Sequence, residues 1–186
     1  TRSVELAMNH CVPLQVLSSF SNASGTLVCD EDEIVEKEIV SGIAYSLDEA
    51  KVTLVKVEDR PGIAASIFGP LADANINVDM IVQNVSEDGS TDVTFTVGRV
   101  DVERAKEAVQ NDDSISFESV ITDDAVVKVS VIGVGMRSHV GVAKTMFEAL
   151  AEKGINIQVI STSEIKVSVL ISEEYTELAL RSLHTA

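Results

Sequence analysis

The sequence predicts an α+β protein in which one strand–helix–strand–strand–helix unit occurs twice. Residues 62–81, GIAASIFGPLADANINVDMI, align with residues 141–160, GVAKTMFEALAEKGINIQVI, at a constant offset of 79 residues. A β-branched apolar run precedes each copy and two more follow it, which is typical of strands that pack against helices. Because a repeat of this length usually encodes one supersecondary unit, we expect two similar domains in tandem.

The first copy is expected to form a complete domain. Pro61 and Gly62 mark the turn after its first strand, and Ile63, Ile67 and Leu71 then recur at helical spacing. The predicted elements are a strand at 52–57, a helix from residue 63, strands at 78–86 and 91–98, a helix at 102–110 and a strand at 114–122. This order is that of a ferredoxin-like βαββαβ domain.

The second copy repeats this order but lacks a final strand. Its predicted elements are a strand at 126–132, the repeated helix, strands at 157–162 and 164–172, and a helix at 174–184. The strand EIVSGIAYS at 38–46 has no partner in the first copy, so we expect it to complete the second sheet. The domains would then be interleaved: a leading segment and linker at 1–33, the shared strand at 34–48, the first domain at 49–124 and the second domain at 125–186.

Composition and charge restrict the partners of the chain. Of its 186 residues, 45% are hydrophobic, and the formal net charge is -16. The apolar fraction is ample for a buried core, and the negative surface would repel nucleic acid and anionic lipid, so we expect neither as a partner. Cys11 and Cys29 have no CxxC spacing, and no secretory signal or membrane-spanning run is visible, so we expect a cytoplasmic protein.

The stretch EDRPG, at 58–62, forms the turn between the first strand and helix of the first copy. The start of a helix leaves backbone amides unpaired, which makes this turn an anion site. Glu58 and Asp59 would repel a di- or triphosphate, whereas an acid beside free amides suits a small zwitterion. The turn therefore indicates an amino acid rather than a nucleotide, although Asp59 could instead only cap the helix.

No metal, cofactor or catalytic group is expected. Gly133 and Gly135 could begin a dinucleotide-binding motif, but Ser138 occupies the third glycine position. His139 has no second histidine nearby, which argues against a metal site. Since no nucleophile–base set or phosphate loop is visible, the chain is not expected to be an enzyme on its own.

Two pairs of strings resemble the paired ACT domains of aspartokinase, which phosphorylates aspartate in the synthesis of lysine, threonine and methionine. They are VEDRPG with NINVDMIVQNVS, and GVGMRSHVGV with INIQVISTSEIKVSVLI. The resemblance covers nearly the whole chain, and the opening RSVELAMNHCVPLQVLSSF is similar to the tail of the kinase catalytic domain. Because the KFGGS-type kinase motif has no counterpart, the resemblance implies a regulatory (beta) subunit or a C-terminal regulatory region.

The resemblance also implies a function and partners. Such regions bind threonine, lysine or both where ACT domains meet, and mediate allosteric feedback inhibition of aspartate phosphorylation. We therefore expect these amino acids as effectors, a homodimer through the ACT domains, and a catalytic aspartokinase subunit in a heterotetramer or a kinase domain in the same chain. No cofactor or metal is implied.

By the same resemblance, effector-binding residues are assigned in both copies. In the first copy they are Asp59, Pro61, Gly62, Ile63 and Ala64 at the turn, with Asp79 and Gln83 on the following strand. In the second copy they are Met136, Ser138, His139, Val140, Asn156, Ile157, Gln158, Ser163 and Glu164. The turn of the second copy holds no acid, so its ligand would need another partner for its cation, for which Glu164 is the candidate.

Two other functions remain open from the sequence. The chain could be a generic ACT amino-acid sensor of another enzyme, or an RNA-recognition-type βαββαβ module. An RNA module would need stacking aromatics and a basic sheet face, whereas the strand TDVTFTVG offers Phe95 alone amid acids. The sequence therefore favours a sensor.

Overall fold

The computed structural model describes residues 2–29, 39–85, 89–112, 114–137 and 141–186. The helices in these ranges are α1 (Arg2–Asn9), α2 (Ile63–Asp73), α3 (Val102–Gln110), α4 (Val142–Glu152) and α5 (Thr176–Thr185). The strands are β1 (Leu14–Val16), β2 (Thr26–Val28), β3 (Gly42–Ser46), β4 (Ala50–Glu58), β5 (Val78–Val85), β6 (Ser90–Val97), β7 (Ser119–Asp123), β8 (Val126–Ile132), β9 (Val159–Thr162) and β10 (Lys166–Ser172). Within these ranges, none of the helices has the length and apolar run needed to cross a bilayer.

The first domain is an antiparallel sheet in the order β5-β6-β4-β7, with α2 and α3 on one face. Alternate residues of the strands point to that face because side chains alternate along a strand. Leu54 and Phe95 of the sheet are fully buried there with Ile67 and Leu71 of α2. The rings of Phe68 and Phe95 meet edge-on, 5.4 Å apart. The predicted ferredoxin-like unit is confirmed.

The second domain has the equivalent order β3-β8-β10-β9. Strand β3 pairs antiparallel with β8 from Gly42 opposite Ile132 to Ser46 opposite Lys128, so the N-terminal strand completes the second sheet as predicted. Helices α4 and α5 cover one face, where Val129, Val169 and Leu150 are fully buried. The chain of the first domain is thus inserted between two paired strands of the second.

Strand β7 begins later than predicted, at Ser119 instead of Ser114. The preceding residues form a connector from α3, because Ile115 is 7% exposed and lies in the core of the first domain. The Arg60 guanidinium holds the connector by donating to the Ser114 carbonyl oxygen at 2.8 Å. The Glu118 amide donates to the Val55 carbonyl oxygen at 2.8 Å, which leads the connector into β7.

The helix-free faces of the two sheets pack against each other, giving four layers in the order helices, sheet, sheet, helices. β5 lies against β9, and the apolar contact consists of Met80 from the first domain and Val126, Val159 and Leu170 from the second. Polar contacts surround this apolar cluster. Arg99 of the first domain donates to the Val126 carbonyl oxygen at 3.1 Å and to Glu173 at 2.7 Å.

The leading segment, residues 2–29, consists of α1 and the hairpin of β1 and β2. Its larger apolar side chains are mostly exposed, and Phe20 is 100% exposed. None of the residues of α1 is buried, so this segment adds nothing to either domain core.

Candidate functional site

The turn before α2 leaves the start of the helix without a side-chain cap. Gly62 occupies the N-cap position with a φ of 91°, a left-handed conformation that glycine adopts without strain. No side chain caps the first amides of α2. The Ile63 amide donates to the Arg60 carbonyl oxygen at 3.1 Å, so the next amides, of Ala64 and Ala65, are those that face the turn. The Asp59 amide donates to the Gly89 carbonyl oxygen at 3.1 Å, which holds the turn next to the β5–β6 hairpin.

Asp59 is the acid that the turn presents to solvent. Its side chain is exposed, and within the described ranges its carboxylate has no hydrogen bond or ion pair. The neighbouring acid differs, because Glu58 lies 3.8 Å from the Arg60 guanidinium. Since Gly62 is the N-cap and no side chain caps α2, the alternative role of Asp59 as a helix cap does not occur in this structure.

The other predicted residues of this turn divide by burial. Pro61, Gly62 and Ala64 are exposed and border the helix start. Ile63 is only 4% exposed and packs in the core, and its amide donates to the Arg60 carbonyl oxygen at 3.1 Å, so neither its side chain nor its amide is open to a ligand.

A β-bulge separates the two predicted effector residues of β5. Asp79 pairs with Thr96, whereas Val82 pairs with Thr94 and Gln83 with Val93, so β5 contains one extra residue. Val93 belongs to the helix-side core and Thr96 lies on the opposite face. Directly paired residues share a face, so Gln83 lies on the helix side and Asp79 on the side of the second domain. A spacing of four residues in a regular strand would have placed both on one face.

Asp79 is bonded to the second domain. Its carboxylate accepts hydrogen bonds from Lys128 Nζ at 2.7 Å and from the Met80 amide at 2.8 Å. The hydrogen bond from Lys128 is the main cause that holds the pKa of Asp79 below its usual value; burial opposes it, and the Met80 amide and the charge of Lys166 add to it. Asp79 therefore has a structural partner already, and its role as an effector contact stays a prediction.

In the second domain, the turn after β8 also lies beside a hairpin. The Gly133 amide donates to the Ile165 carbonyl oxygen at 2.9 Å, and the Ser163 amide donates to the Lys166 carbonyl oxygen at 2.7 Å, closing the β9–β10 turn. Glu164 is exposed in this turn, and Met136 packs partly against the core. Ser138, His139 and Val140 lie outside the described residues.

The remaining predicted residues of the second copy lie at the other end of β9. Ser163 follows Gln158 by five positions, a distance of roughly 17 Å along an extended strand. Asn156 is exposed, Ile157 packs against the core, and Gln158 accepts a hydrogen bond from Lys51 of the first domain. One domain therefore does not bring all the second-copy residues into one site.

Sequence reasoning missed the charged residues between the domains. Lys128 Nζ contacts both Asp79 and Glu49, and the side chains of Lys128 and Glu49 are 17% and 8% exposed. Burial lowers the pKa of Lys128, but the hydrogen bonds to Asp79 and Glu49 together raise it by more than burial lowers it, so the net shift of the pKa is upward. The alternation of side chains in VVKVSVI was the available signal, since it places Lys128 on the other face of the strand from Val127 and Val129.

Phe95, which the RNA-binding alternative would need, is not available for stacking. It is fully buried in the helix-side core of the first domain. The structure thus removes the aromatic residue on which that alternative depended.

Comparison with known families gives matches to both domains. One model described as an ACT domain matches residues 51–113, and another described as an ACT domain matches residues 129–186. An aspartate kinase of Pseudomonas fluorescens (strain SBW25) is 57% identical over 187 residues, covering 100% of this chain and 45% of that protein. The chain thus spans less than half the length of this relative.

Solved structures with a similar fold include separate regulatory chains. A structure of aspartokinase alpha and beta subunits contains a chain that is 55% identical, with a TM-score of 0.74, 78% of this chain covered and 97% of that one. The ligand-free regulatory subunit of aspartate kinase from Thermus thermophilus is 41% identical, with a TM-score of 0.76 and coverages of 80% and 99%. E. coli aspartokinase III in complex with lysine and aspartate (T-state) is 26% identical, with a TM-score of 0.70 and coverages of 96% and 40%.

Proposed function

The chain belongs to the aspartokinase family as its regulatory, tandem ACT-domain part, and on this premise we propose that it binds threonine, lysine or both as feedback effectors. The observation that carries the proposal is the unpaired Asp59 carboxylate beside the uncapped start of α2. A zwitterionic amino acid complements both features. Its carboxylate would accept from the helix amides and its ammonium would pair with Asp59.

Gln83 completes the first site in this proposal. It is exposed, and it lies on the helix side of β5, two residues before the end of the strand at Val85. The hairpin after β5 is the one that the Asp59 amide contacts. The side-chain amide of Gln83 could therefore reach the polar end of an effector that sits at the turn.

The second site would use the equivalent turn with different chemistry. Glu164 is the acid of the adjacent β9–β10 turn, and Met136 borders the turn after β8. We place the effector's ammonium near Glu164 in this site. Because the acid comes from the hairpin instead of the turn, the two sites need not select the same amino acid.

The assembly we propose is a homodimer that joins sheet edges and contacts a catalytic aspartokinase subunit, or a kinase domain of the same protein, in the cytoplasm. β5 and β9 are edge strands, and Ile81 and Ile160 on them are 54% and 44% exposed. Bare edges with apolar side chains favour pairing with another strand. Asn156–Gln158 lie at the other end of β9 from Ser163 and Glu164, so in this proposal they contribute to a site shared with the second copy.

Thermal unfolding of the purified chain with a panel of amino acids tests effector binding. An effector at about 100 times its dissociation constant adds roughly 2.7 kcal/mol to the free energy of unfolding. For a chain of this size, the melting temperature should rise by roughly 5 to 11 °C with threonine or lysine. Glycine and alanine are the controls, and equal shifts with all four amino acids would contradict a specific site.

Reconstitution tests the regulatory part of the proposal. The chain alone should form no aspartyl phosphate from ATP and aspartate, whereas adding it to a catalytic aspartokinase subunit should make that activity sensitive to threonine or lysine. Kinase activity of the chain alone, or an inhibition that is the same with and without the chain, would overturn the proposal.

A further inference from the structure

The bulge in β5 occurs where the first domain meets the second. Met80 has a φ of 40°, which is a left-handed conformation that costs a residue with a side chain about 1 to 2 kcal/mol. The carboxylate of Asp79 accepts a hydrogen bond from the Met80 amide at 2.8 Å. Such a conformation persists only where surrounding contacts hold it.

The first of these contacts is apolar. Met80 is 3% exposed, and it packs against Val126, Val159 and Leu170 of the second domain. This cluster is separate from the cores of both domains. The Met80 side chain therefore gains its burial from the contact between the domains.

The second contact is ionic and comes from Lys128. This lysine of β8 reaches across the interface to Asp79 at 2.7 Å and to Glu49, which precedes β4. A lysine that is 17% exposed is stable as a cation only with acids around it. The ion pairs thus connect β8, the chain entering the first domain and the bulge of β5.

We propose that Lys128 is a positioning residue for Gln83. Its ion pair with Asp79, called the latch below, holds β5 against the second domain and thereby keeps the Gln83 side chain on the helix side. The bulge consists of Asp79 and Met80, and both contact the second domain: Asp79 through Lys128, and Met80 through the apolar cluster. A shift of one residue in the pairing of a strand moves the side chains that follow to the other face of the sheet. Without the latch, β5 can regain regular pairing, which would move Gln83 away from the helix side.

The latch can be tested without any effector by a double-mutant cycle. Lys128→Met, Asp79→Asn and the double variant are unfolded with denaturant, and the exposed pair Lys144 and Glu148 of α4, 3.6 Å apart, serves as the matched control. We expect a coupling of about three- to fivefold in the unfolding equilibrium constant for Lys128 with Asp79, and at most about twofold for the control pair. Additive effects of Lys128→Met and Asp79→Asn would overturn the latch.

Lys128→Met leaves the carboxylate of Glu49 unpaired, and Glu49 is only 8% exposed. If that variant does not fold for this reason, the same cycle is measured in a Glu49→Gln background, which removes the unpaired carboxylate. The coupling with Asp79 should persist there, because Asp79 and Glu49 contact Lys128 separately.

Hydrogen exchange at one amide separates positioning from general stability. The Met80 amide should exchange at least tenfold faster in Lys128→Met than in Lys144→Met, while the amides of β10 change little. Equal exchange of the Met80 amide in these two variants would overturn the proposal even if Lys128→Met were less stable.

The consequence for Gln83 rests on the proposed effector site. If threonine or lysine binds the first site, Lys128→Met and Gln83→Ala should each weaken that binding, and the double variant should be no weaker than Gln83→Ala alone. Independent, multiplying effects would overturn the role of Lys128 in positioning Gln83. If neither amino acid binds the wild-type chain, the proposed function fails, while the cycle and the exchange measurement still decide the latch.

Discussion

The two domains have the same sheet order but obtain the fourth strand from opposite directions along the chain. In the first domain, β7 follows α3 through a connector whose Ile115 is buried in the core. In the second domain, β3 precedes the whole first domain and pairs with β8. A groove of about 420 Å³ lies beside β3, α4 and α5, lined by Val131, Val142, Met146 and Leu183 among others. A ferredoxin-like sheet can thus be completed by a strand from either direction along the chain.

The turns of the two domains also differ while their surroundings agree. Each turn after the first strand is bonded to the neighbouring hairpin, through the Asp59 amide in one domain and the Gly133 amide in the other. The first turn carries the acid Asp59, whereas the acid nearest the second turn in the sequence of the hairpin is Glu164. The two turns therefore have the same place in their domains but different charges.

Core truncations at matched positions should have the largest effect on this comparison. Leu71 and Leu150 are equivalent in the repeat and both are fully buried. Leu71→Ala and Leu150→Ala should each lower the free energy of unfolding by about 2 to 5 kcal/mol. Because the domains are interleaved, we expect one cooperative transition in both variants by circular dichroism and calorimetry. Two separated transitions would show that the domains unfold independently despite the shared strand.

Removal of the two acids should affect the two sites separately. Asp59→Ala should weaken binding at the first site by about ten- to a hundredfold, because it removes a charged hydrogen-bond partner worth about 1.5 to 3 kcal/mol. Glu164→Ala is the matched variant for the second site. Calorimetric titration of both variants should show that each loses one class of binding, and a loss of all binding in both would argue for one shared site.

The glycines at the start of α2 and α4 should respond alike. Gly62 and Gly141 have φ angles of 91° and 109°, and a Cβ on either would meet no atom within 4 Å. Alanine there is strained by the backbone alone, so each substitution should cost about 1 to 2 kcal/mol of stability. Gly42→Ala, which has ordinary backbone angles and open space, is the control. A much larger cost at one turn than at the other would show that the two turns are not equivalent.

The contribution of Asp79 to stability should depend on pH and should be the smallest effect. The folded-state pKa lies below 3.8, so the stabilisation is present above the unfolded pKa and is lost as pH falls through the folded pKa. Lys128 and Lys166 face Asp79 as cations, and Glu49 shares Lys128. Since the Asp79 side chain is 48% exposed, solvent screening limits its contribution to at most about 1 kcal/mol.

Denaturant unfolding of wild type and Asp79→Asn over a range of pH measures this contribution. The two free energies should differ at neutral pH and converge in acid. A difference that stays constant through the acid range would mean that the charge of Asp79 does not stabilise the fold.

Much of the fold could be predicted because its determinants are local or repeated. Periodicity located the helices, and the missing strand of the second copy identified β3 as its partner. The bulge at Met80 could not be predicted, because the residues that bury Met80, which are Val126, Val159 and Leu170, are distant in sequence. The even spacing of Asp79 and Gln83 therefore indicated one face, whereas the structure places them on two.

The candidate site was predictable to a similar degree. The turn at Asp59 followed from chemistry and resemblance, and the structure shows its acid unpaired within the described ranges. Alternation of side chains along the strand indicated that Lys128 lies on the face away from the helices. It did not indicate the partner of Lys128, because Asp79 lies 49 residues away along the chain. Contacts between domains depend on the packing of whole sheets, which strand patterns do not encode.

Titration of the wild-type chain with threonine and with lysine, each alone and then in the presence of the other at saturation, tests the central claim most directly. The claim is that one chain holds two amino-acid sites of different chemistry. We expect two classes of saturable binding, of which one persists while the other amino acid is at saturation, and a first site that is about ten- to a hundredfold weaker in Asp59→Ala. No saturable binding of either amino acid to the wild-type chain would contradict the account.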